Sequence, residues 1–356
     1  MTSKKATFFF IILLLLLTLV LSRLPGHNGD MPFYIACIIE TEQGSMQGVI
    51  DKTKQVLQNE LPAAEYRDHA ERISAANPVI LERYRVKPLY IWMALAFHKL
   101  GFSYIHSTLV PSLLSYFLIG VSIWQILIKR LEPVKAFLLS MICMLIYPTL
   151  LLARLSTPDA LSSLVLLNAI SLIYSGRKKM FWVFLFLLAI WIRIDNVVSE
   201  LIFLFALWKW PASGFANKLN TAQFFFFSCG LSVMALLVNL TGAHHFLWFM
   251  GSEFAQPAGQ YLHDIGIYFY VFPGSFFMYL LMFFVISGFR RGFSWKTEVN
   301  YLFYAICAIV FVRFLLYPFY EERYIAPWLL FILLSLAFYD AKPAMVKLKT
   351  GAGKGS

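Results

Sequence analysis

Two aspartates stand where apolar runs meet polar residues, at positions where a carboxylate could do chemistry. Asp30 follows Gly29 shortly after the first apolar run, and Asp159 follows Pro158 at the head of a later one. The low dielectric at a membrane surface raises the pKa of a carboxylate toward the range of a general base that deprotonates a hydroxyl. Each also has a structural reading, Asp30 as the N-cap of a helix over 31–34 and Asp159 as a helix-start residue. Both are candidate catalytic residues.

Three basic side chains are candidates for binding a phosphate. Arg85 and Lys87 close the long polar stretch from residue 23 to 87, and Arg323 lies in a short polar turn beside aromatic residues. A guanidinium can hold a phosphate through two hydrogen bonds, and positive charge at a dry interface stabilises a phosphate leaving group. A solvated turn also needs polar residues, which gives Arg323 a structural explanation as well.

Further polar residues near the ends of apolar runs are candidates for contacting a substrate: Arg193, Asp195, His244, His245 and Glu322. Arg193 and Asp195 could instead pair with each other. The adjacent histidines point in different directions in a helix or a strand, which argues against a shared metal ion. The sequence predicts no metal site and no required cofactor, although it leaves room for a divalent cation.

Composition excludes a soluble domain. Hydrophobic residues make up 60% of the 356 and charged residues only 14%, against about 25% charged in soluble domains. The formal net charge of +11 does not indicate nucleic-acid binding, because the basic residues form short clusters between apolar runs. The four cysteines form no close pair and predict no disulfide framework.

The apolar runs predict an all-α polytopic membrane protein, with residues 1–356 forming a single membrane domain. We expect about ten transmembrane helices, at 6–23, 106–128, 134–153, 157–175, 180–194, 196–210, 221–241, 266–288, 299–318 and 324–340. The apolar stretch 88–101 is too short to cross and is predicted to be interfacial or re-entrant. With that assignment every basic cluster faces the cytoplasm, as do both termini and the tail 341–356.

The first extracytoplasmic loop, residues 24–105, is predicted to carry interfacial helices. Between about 49 and 61, apolar residues recur at helical spacing among polar ones, which is typical of an amphipathic helix on a membrane surface. A second helix is expected between 65 and 82, broken at Asn77-Pro78.

Together these features resemble the type C glycosyltransferases (GT-C), in particular the protein O-mannosyltransferases and the lipid A aminoarabinose transferases. The resemblance covers most of the chain and depends on the order and common sidedness of short motifs. They are an Asp after the first span, an amphipathic first outer loop, Lys-Pro-Leu-Tyr-Ile-Trp from Lys87, Pro-Asp-Ala-Leu from Pro158, Arg-x-Asp from Arg193 and Glu-Arg-Tyr-x-x-Pro from Glu322.

The resemblance implies an enzyme that transfers a sugar from a polyprenyl-phosphate donor to a glycan, lipid or protein acceptor. Asp30 matches the family's catalytic base, Arg85 and Lys87 match positions near the donor phosphate, and Arg323 matches a late motif of the same site. Asp159 matches an acidic position whose role in the family is less uniform. The expected location is a bacterial inner membrane, with the site facing the periplasm or exterior and membrane lipids around the helices.

Two departures from the family pattern affect this expectation. Asp30 is followed by Met31 and Pro32, where many relatives have a second acidic residue, and the large soluble C-terminal domain of some relatives is missing. Two rival functions remain open, a transporter or flippase of a lipid-linked sugar and an oligosaccharide polymerase of related topology. A transporter typically carries broken helices and polar sites near the bilayer midplane.

Overall fold

The computed structural model describes residues 3–75, 78–174, 179–209 and 219–242, together with isolated residues between 305 and 334. These four ranges contain helices and no β-strand, apart from one isolated parallel bridge between Gly26 and Leu155. The helices are α1 Ser3–Ser22, α2 Met31–Gln43, α3 Val49–Glu60, α4 Ala63–Ser74, α5 Pro78–Arg85, α6 Pro88–Lys99, α7 Tyr104–Leu127, α8 Pro133–Leu145, α9 Tyr147–Arg154, α10 Asp159–Tyr174, α11 Lys179–Ile192, α12 Asn196–Lys209 and α13 Thr221–Gly242.

Three of these helices, α1, α7 and α13, are long and apolar enough to cross a membrane. The bent pair α8 and α9 is a fourth if it forms one span. Over the residues that the structure describes, the helices at three other predicted spans are shorter than the roughly 20 residues that a crossing needs: α10 has 16 residues, and α11 and α12 have 14 each. The predicted span 266–288 and the tail 341–356 lie outside the described residues, and only isolated residues of 299–318 and 324–340 are described.

The predicted span 134–153 is two helices that meet at an angle of 60°. Pro148 has no N–H, so it cannot donate to the carbonyl of Met144 four residues earlier, and the helix stops at Leu145. The hydroxyl of Tyr116 donates to that Met144 carbonyl instead, at 3.0 Å. A neighbouring helix therefore satisfies the group that the proline leaves open.

Helices α2 to α6 form a second apolar core beside the larger core of α1 and α7–α13. Its centre is α2, in which every residue from Met31 to Ile39 is buried. The apolar side of α3, including Val49 and Leu57, is buried in this core. Packing within the protein accounts for the amphipathic pattern of α3, and its place at a membrane surface stays a prediction. The predicted break at Asn77-Pro78 falls between α4 and α5.

Helix α6 corresponds to the short apolar stretch 88–101. Its 12 residues extend only about 18 Å, which agrees with the prediction that this stretch does not cross. It packs on α7, α2 and α11 and so joins the two cores. Near the end of α11, the ring of Trp191 meets that of Trp92 in α6, with the ring centres 5.4 Å apart.

Candidate functional site

The connection between α1 and α2 is fixed to the turn between α9 and α10. The backbone N–H of Gly26 donates to the Arg154 carbonyl at 2.8 Å, and Nε of Arg154 donates to the Leu24 carbonyl at 2.7 Å. The hydroxyl of Ser112 on α7 donates to the Thr157 carbonyl at 3.0 Å. These bonds place the start of α2 and the start of α10 at the same end of the helix bundle.

Four side chains come together where α2 begins and α5 ends, and we call them the phenol quartet: Asp30, Tyr34, Tyr84 and Lys87. The hydroxyl of Tyr84 donates to Oδ1 of Asp30 at 2.9 Å, and Nζ of Lys87 donates to the hydroxyl of Tyr34 at 2.9 Å. The same ammonium lies 4.8 Å from the centre of the Tyr84 ring and 5.2 Å from that of Tyr34. The quartet brings a carboxylate and an ammonium to one place through two neutral phenols.

Asp30 stands at the N-cap position of α2, but its carboxylate makes no capping hydrogen bond to the helix. Besides Tyr84, the side-chain amide of Asn28 contacts its second oxygen at 3.3 Å. The side chain of Asp30 therefore does not cap the helix, although its sequence position allowed that interpretation. Its carboxylate is instead bound by side chains, Tyr84 at Oδ1 and Asn28 at Oδ2.

The environment of Tyr34 keeps it a neutral phenol. Burial raises the pKa of Tyr34 well above its ordinary value, and the negative charge of Asp30 acts in the same direction, while Arg193 lowers it. A neutral Tyr34 hydroxyl can accept a hydrogen bond from Lys87 across the whole physiological pH range.

Arg85 forms a two-pronged ion pair with Glu40 on α2. Its Nε and Nη2 donate to the two carboxylate oxygens at 2.8 and 2.7 Å. Both side chains are a little over one-fifth exposed, at 22% and 23%. The pair fixes the last turn of α5 against α2 and so determines where Lys87, two residues later, is placed.

A second cluster, the Arg193 cluster, lies where α10 begins and α11 meets α12. Arg193 contacts both Asp159 and Asp195, with Nε and Nη2 donating to Asp195 at 3.0 and 2.7 Å. Asp159 is 3% exposed, and Arg193 and Asp195 are 12% exposed each. The amide of Asn196 next to it donates to the Ser162 hydroxyl at 2.8 Å and ties α12 to α10. The pairing of Arg193 with Asp195 that the sequence allowed is present, and Asp159 joins it.

The structure therefore gathers Asp30, Lys87, Asp159, Arg193 and Asp195 at one end of the bundle. The predicted residues His244, His245, Glu322 and Arg323 lie outside the described residues. Within the described ranges, no three His, Cys, Asp or Glu side chains are grouped so that they could hold a metal ion.

Sequence reasoning did not single out Tyr34, Tyr84 or Glu40. A usable signal for the two tyrosines was present, because residues four apart or three apart share one face of a helix. Asp30 and Tyr34 have the first spacing, and Tyr84 and Lys87 have the second. The pairing between the two segments depends on how α2 and α5 pack, which no spacing within one segment reveals.

Comparisons of the chain with protein-family models, with curated proteins and with solved structures give no match.

Proposed function

We propose that this protein is a membrane glycosyltransferase that moves a sugar from a polyprenyl-phosphate donor to a hydroxyl of a glycan, lipid or protein acceptor. The observation that carries the proposal is the phenol quartet, in which the Tyr84 hydroxyl binds the Asp30 carboxylate while the Lys87 ammonium lies over the Tyr84 ring. Acceptor deprotonation requires the carboxylate, and phosphate departure requires the ammonium.

In the proposed reaction Asp30 takes the proton of the acceptor hydroxyl. The acceptor oxygen forms a bond to the anomeric carbon while the bond from that carbon to the phosphate oxygen breaks, and the electron pair leaves on the polyprenyl phosphate. A single base with no covalent sugar intermediate gives inversion at the anomeric carbon. Lys87 stabilises the negative charge that develops on the phosphate.

We assign the other candidates supporting roles according to their contacts. Because Arg85 forms an ion pair with Glu40, we assign it the role of positioning Lys87 rather than a direct contact with the phosphate. Asp159 and Asp195, both engaged by Arg193, support the end of the bundle on which the site is built. Arg323 is a further proposed phosphate ligand, and His244, His245 and Glu322 are proposed substrate contacts.

The proposed setting is a multi-pass protein of about ten spans in a bacterial inner membrane. Its site faces the periplasm or exterior, where the acceptor is found, and the polyprenyl chain of the donor lies among membrane lipids. The apolar helices α1, α7 and α13 support membrane insertion. The position of Asp30 shortly after α1 supports a site near one membrane surface.

A transporter of a lipid-linked sugar is the second candidate function, and one observation favours it. Discontinuous helices are typical of transporters, and α8 and α9 form a helix pair broken at Pro148. The carbonyl freed at this break is bonded by Tyr116, however, and the polar clusters lie at the end of the bundle, which favours the transferase.

The test is to incubate the purified protein in detergent or nanodiscs with a polyprenyl-phosphate monosaccharide and a panel of hydroxyl acceptors. The transferase releases free polyprenyl phosphate only when a suitable acceptor is present. Release from a lipid-linked oligosaccharide but not from the monosaccharide donor would identify a polymerase. Movement of intact donor across a proteoliposome membrane, with no release in any combination, would identify a transporter.

A further inference from the structure

The ring of Tyr84 is held from several sides, and this fixes where its hydroxyl lies. It stacks on Phe33 with the ring centres 4.7 Å apart and the planes 14° apart. Tyr34 meets it edge-on at 5.0 Å, and the ammonium of Lys87 lies over it at 4.8 Å. A phenol packed in this way cannot swing away without disturbing α2, so its hydroxyl is a rigid donor for Asp30.

The two phenols of the quartet form hydrogen bonds with groups of opposite charge. Tyr84 donates to the carboxylate of Asp30, whereas Tyr34 accepts from the ammonium of Lys87. Removing the hydroxyl of Tyr84 therefore takes a hydrogen bond from Asp30, and removing that of Tyr34 takes one from Lys87. In a third tyrosine of the same core, Tyr90, the hydroxyl donates to the Thr108 carbonyl at 2.7 Å.

We propose that Tyr84 is a positioning residue for the base: its hydroxyl fixes the Asp30 carboxylate in the orientation that accepts the acceptor proton. This inference rests on the proposed transferase reaction. A merely structural Tyr84 would affect protein stability alone, whereas a positioning Tyr84 affects the proton-transfer step and the affinity of Asp30 for a proton. Both consequences can be measured.

The kinetic test compares three Tyr→Phe variants in the purified protein. Tyr84→Phe is expected to lower kcat by about tenfold with little change in KM, because the Asp30 carboxylate is no longer oriented toward the hydroxyl of the acceptor. Tyr34→Phe is expected mainly to raise the KM for the donor, since it frees the ammonium. Tyr90→Phe, the matched control, leaves both parameters within about twofold. Equal kcat values for Tyr84→Phe and Tyr90→Phe would overturn the inference.

A second measurement does not depend on turnover. Infrared difference spectra between each protein and its Asp30→Asn version follow the protonation of Asp30 as the pH is lowered. A hydrogen bond donated to a carboxylate favours the ionised form, so Tyr84→Phe should move this titration upward by about one pH unit. The other ionisable groups nearby, Lys87, Arg193, Tyr34 and Arg72 packed on Gly29, are unchanged in the variant.

The two measurements separate the failure of each idea. A wild-type protein that releases no polyprenyl phosphate from any donor contradicts the proposed function. An Asp30 titration that is the same in wild type and Tyr84→Phe contradicts the assignment of Tyr84, whether or not the protein is a transferase.

Discussion

The two polar clusters at this end of the bundle hold their carboxylates in different ways. In the Arg193 cluster one guanidinium contacts the buried carboxylate of Asp159 and the partly buried carboxylate of Asp195, and opposite charges meet directly. In the phenol quartet Asp30 and Lys87 are each contacted by a tyrosine hydroxyl. Direct ion pairs of buried groups are costly to break and so preserve geometry, whereas a carboxylate held by a phenol can gain and lose a proton. This difference supports the proposal that the Arg193 cluster is structural and that the quartet is the reaction site.

The largest expected effect tests the supporting role of Arg193. Arg193→Met removes the cation between the buried Asp159 and the partly buried Asp195, which should lower the free energy of unfolding by about 3–5 kcal/mol. Unfolding in detergent, followed by tryptophan fluorescence, measures the loss. The triple variant Arg193→Met, Asp159→Asn, Asp195→Asn is the control, because it removes all three charges and should recover much of the stability. Wild-type stability in Arg193→Met would remove the distinction between the clusters.

For Lys87 we expect a loss of activity without a loss of stability. Lys87→Met should leave the unfolding transition close to that of wild type and lower the rate of polyprenyl-phosphate release by about 100-fold or more. Lys99, exposed at the end of α6, offers a matched Lys→Met control that should stay fully active. A Lys87→Met protein that unfolds as readily as Arg193→Met would show that the quartet, too, is chiefly structural.

A smaller effect is expected at the pair that places Lys87. Arg85→Lys keeps the positive charge but loses the two-pronged contact with Glu40, which should cost about 1 kcal/mol and lower activity several-fold. Glu40→Gln should have a similar effect. Because both changes break one contact, the double variant should be little worse than either single one. Additive losses would show that Arg85 acts elsewhere, for example on the donor phosphate.

The smallest expected effect is on the pH dependence of stability and involves His69, a buried residue on α4 outside the quartet. Burial lowers the pKa of His69 below its ordinary value of 6.5, an effect that Arg72 and His27 reinforce and that Asp68 and Glu65 oppose. Protonation therefore favours the unfolded chain, and stability falls as the pH drops below about 6.5. His69→Gln should make thermal unfolding in detergent less dependent on pH between about 7 and 5, with a change of about 1 kcal/mol or less. An unchanged pH dependence would contradict this.

Much of the local structure could be predicted because it follows from local signals. Apolar runs identified the long helices, Pro78 identified the break between α4 and α5, and length alone identified α6 as too short to cross. The bend at Pro148 was missed, because the apolar run continues through it and hides the lost hydrogen bond. The amphipathic pattern of α3 identified a helix but not its partner, since a protein core and a membrane surface select the same spacing.

The candidate site was predictable residue by residue but not as an arrangement. Asp30, Lys87, Asp159 and Arg193 stood out because ionisable groups are rare in so apolar a chain. Which of them form ion pairs depends on contacts between helices far apart in sequence, such as the Gly26–Arg154 hydrogen bond. Tyrosines are common in membrane proteins as interfacial anchors, so neither Tyr34 nor Tyr84 was conspicuous.

The central claim is that Asp30 acts as the base of sugar transfer, and Asp30→Asn tests it most directly. The variant keeps the size of the side chain and removes its capacity to take a proton. The rate of polyprenyl-phosphate release should fall by about 100-fold to 10,000-fold, with an unchanged unfolding transition and donor affinity within about twofold of wild type. Transfer at the wild-type rate by Asp30→Asn would contradict the account.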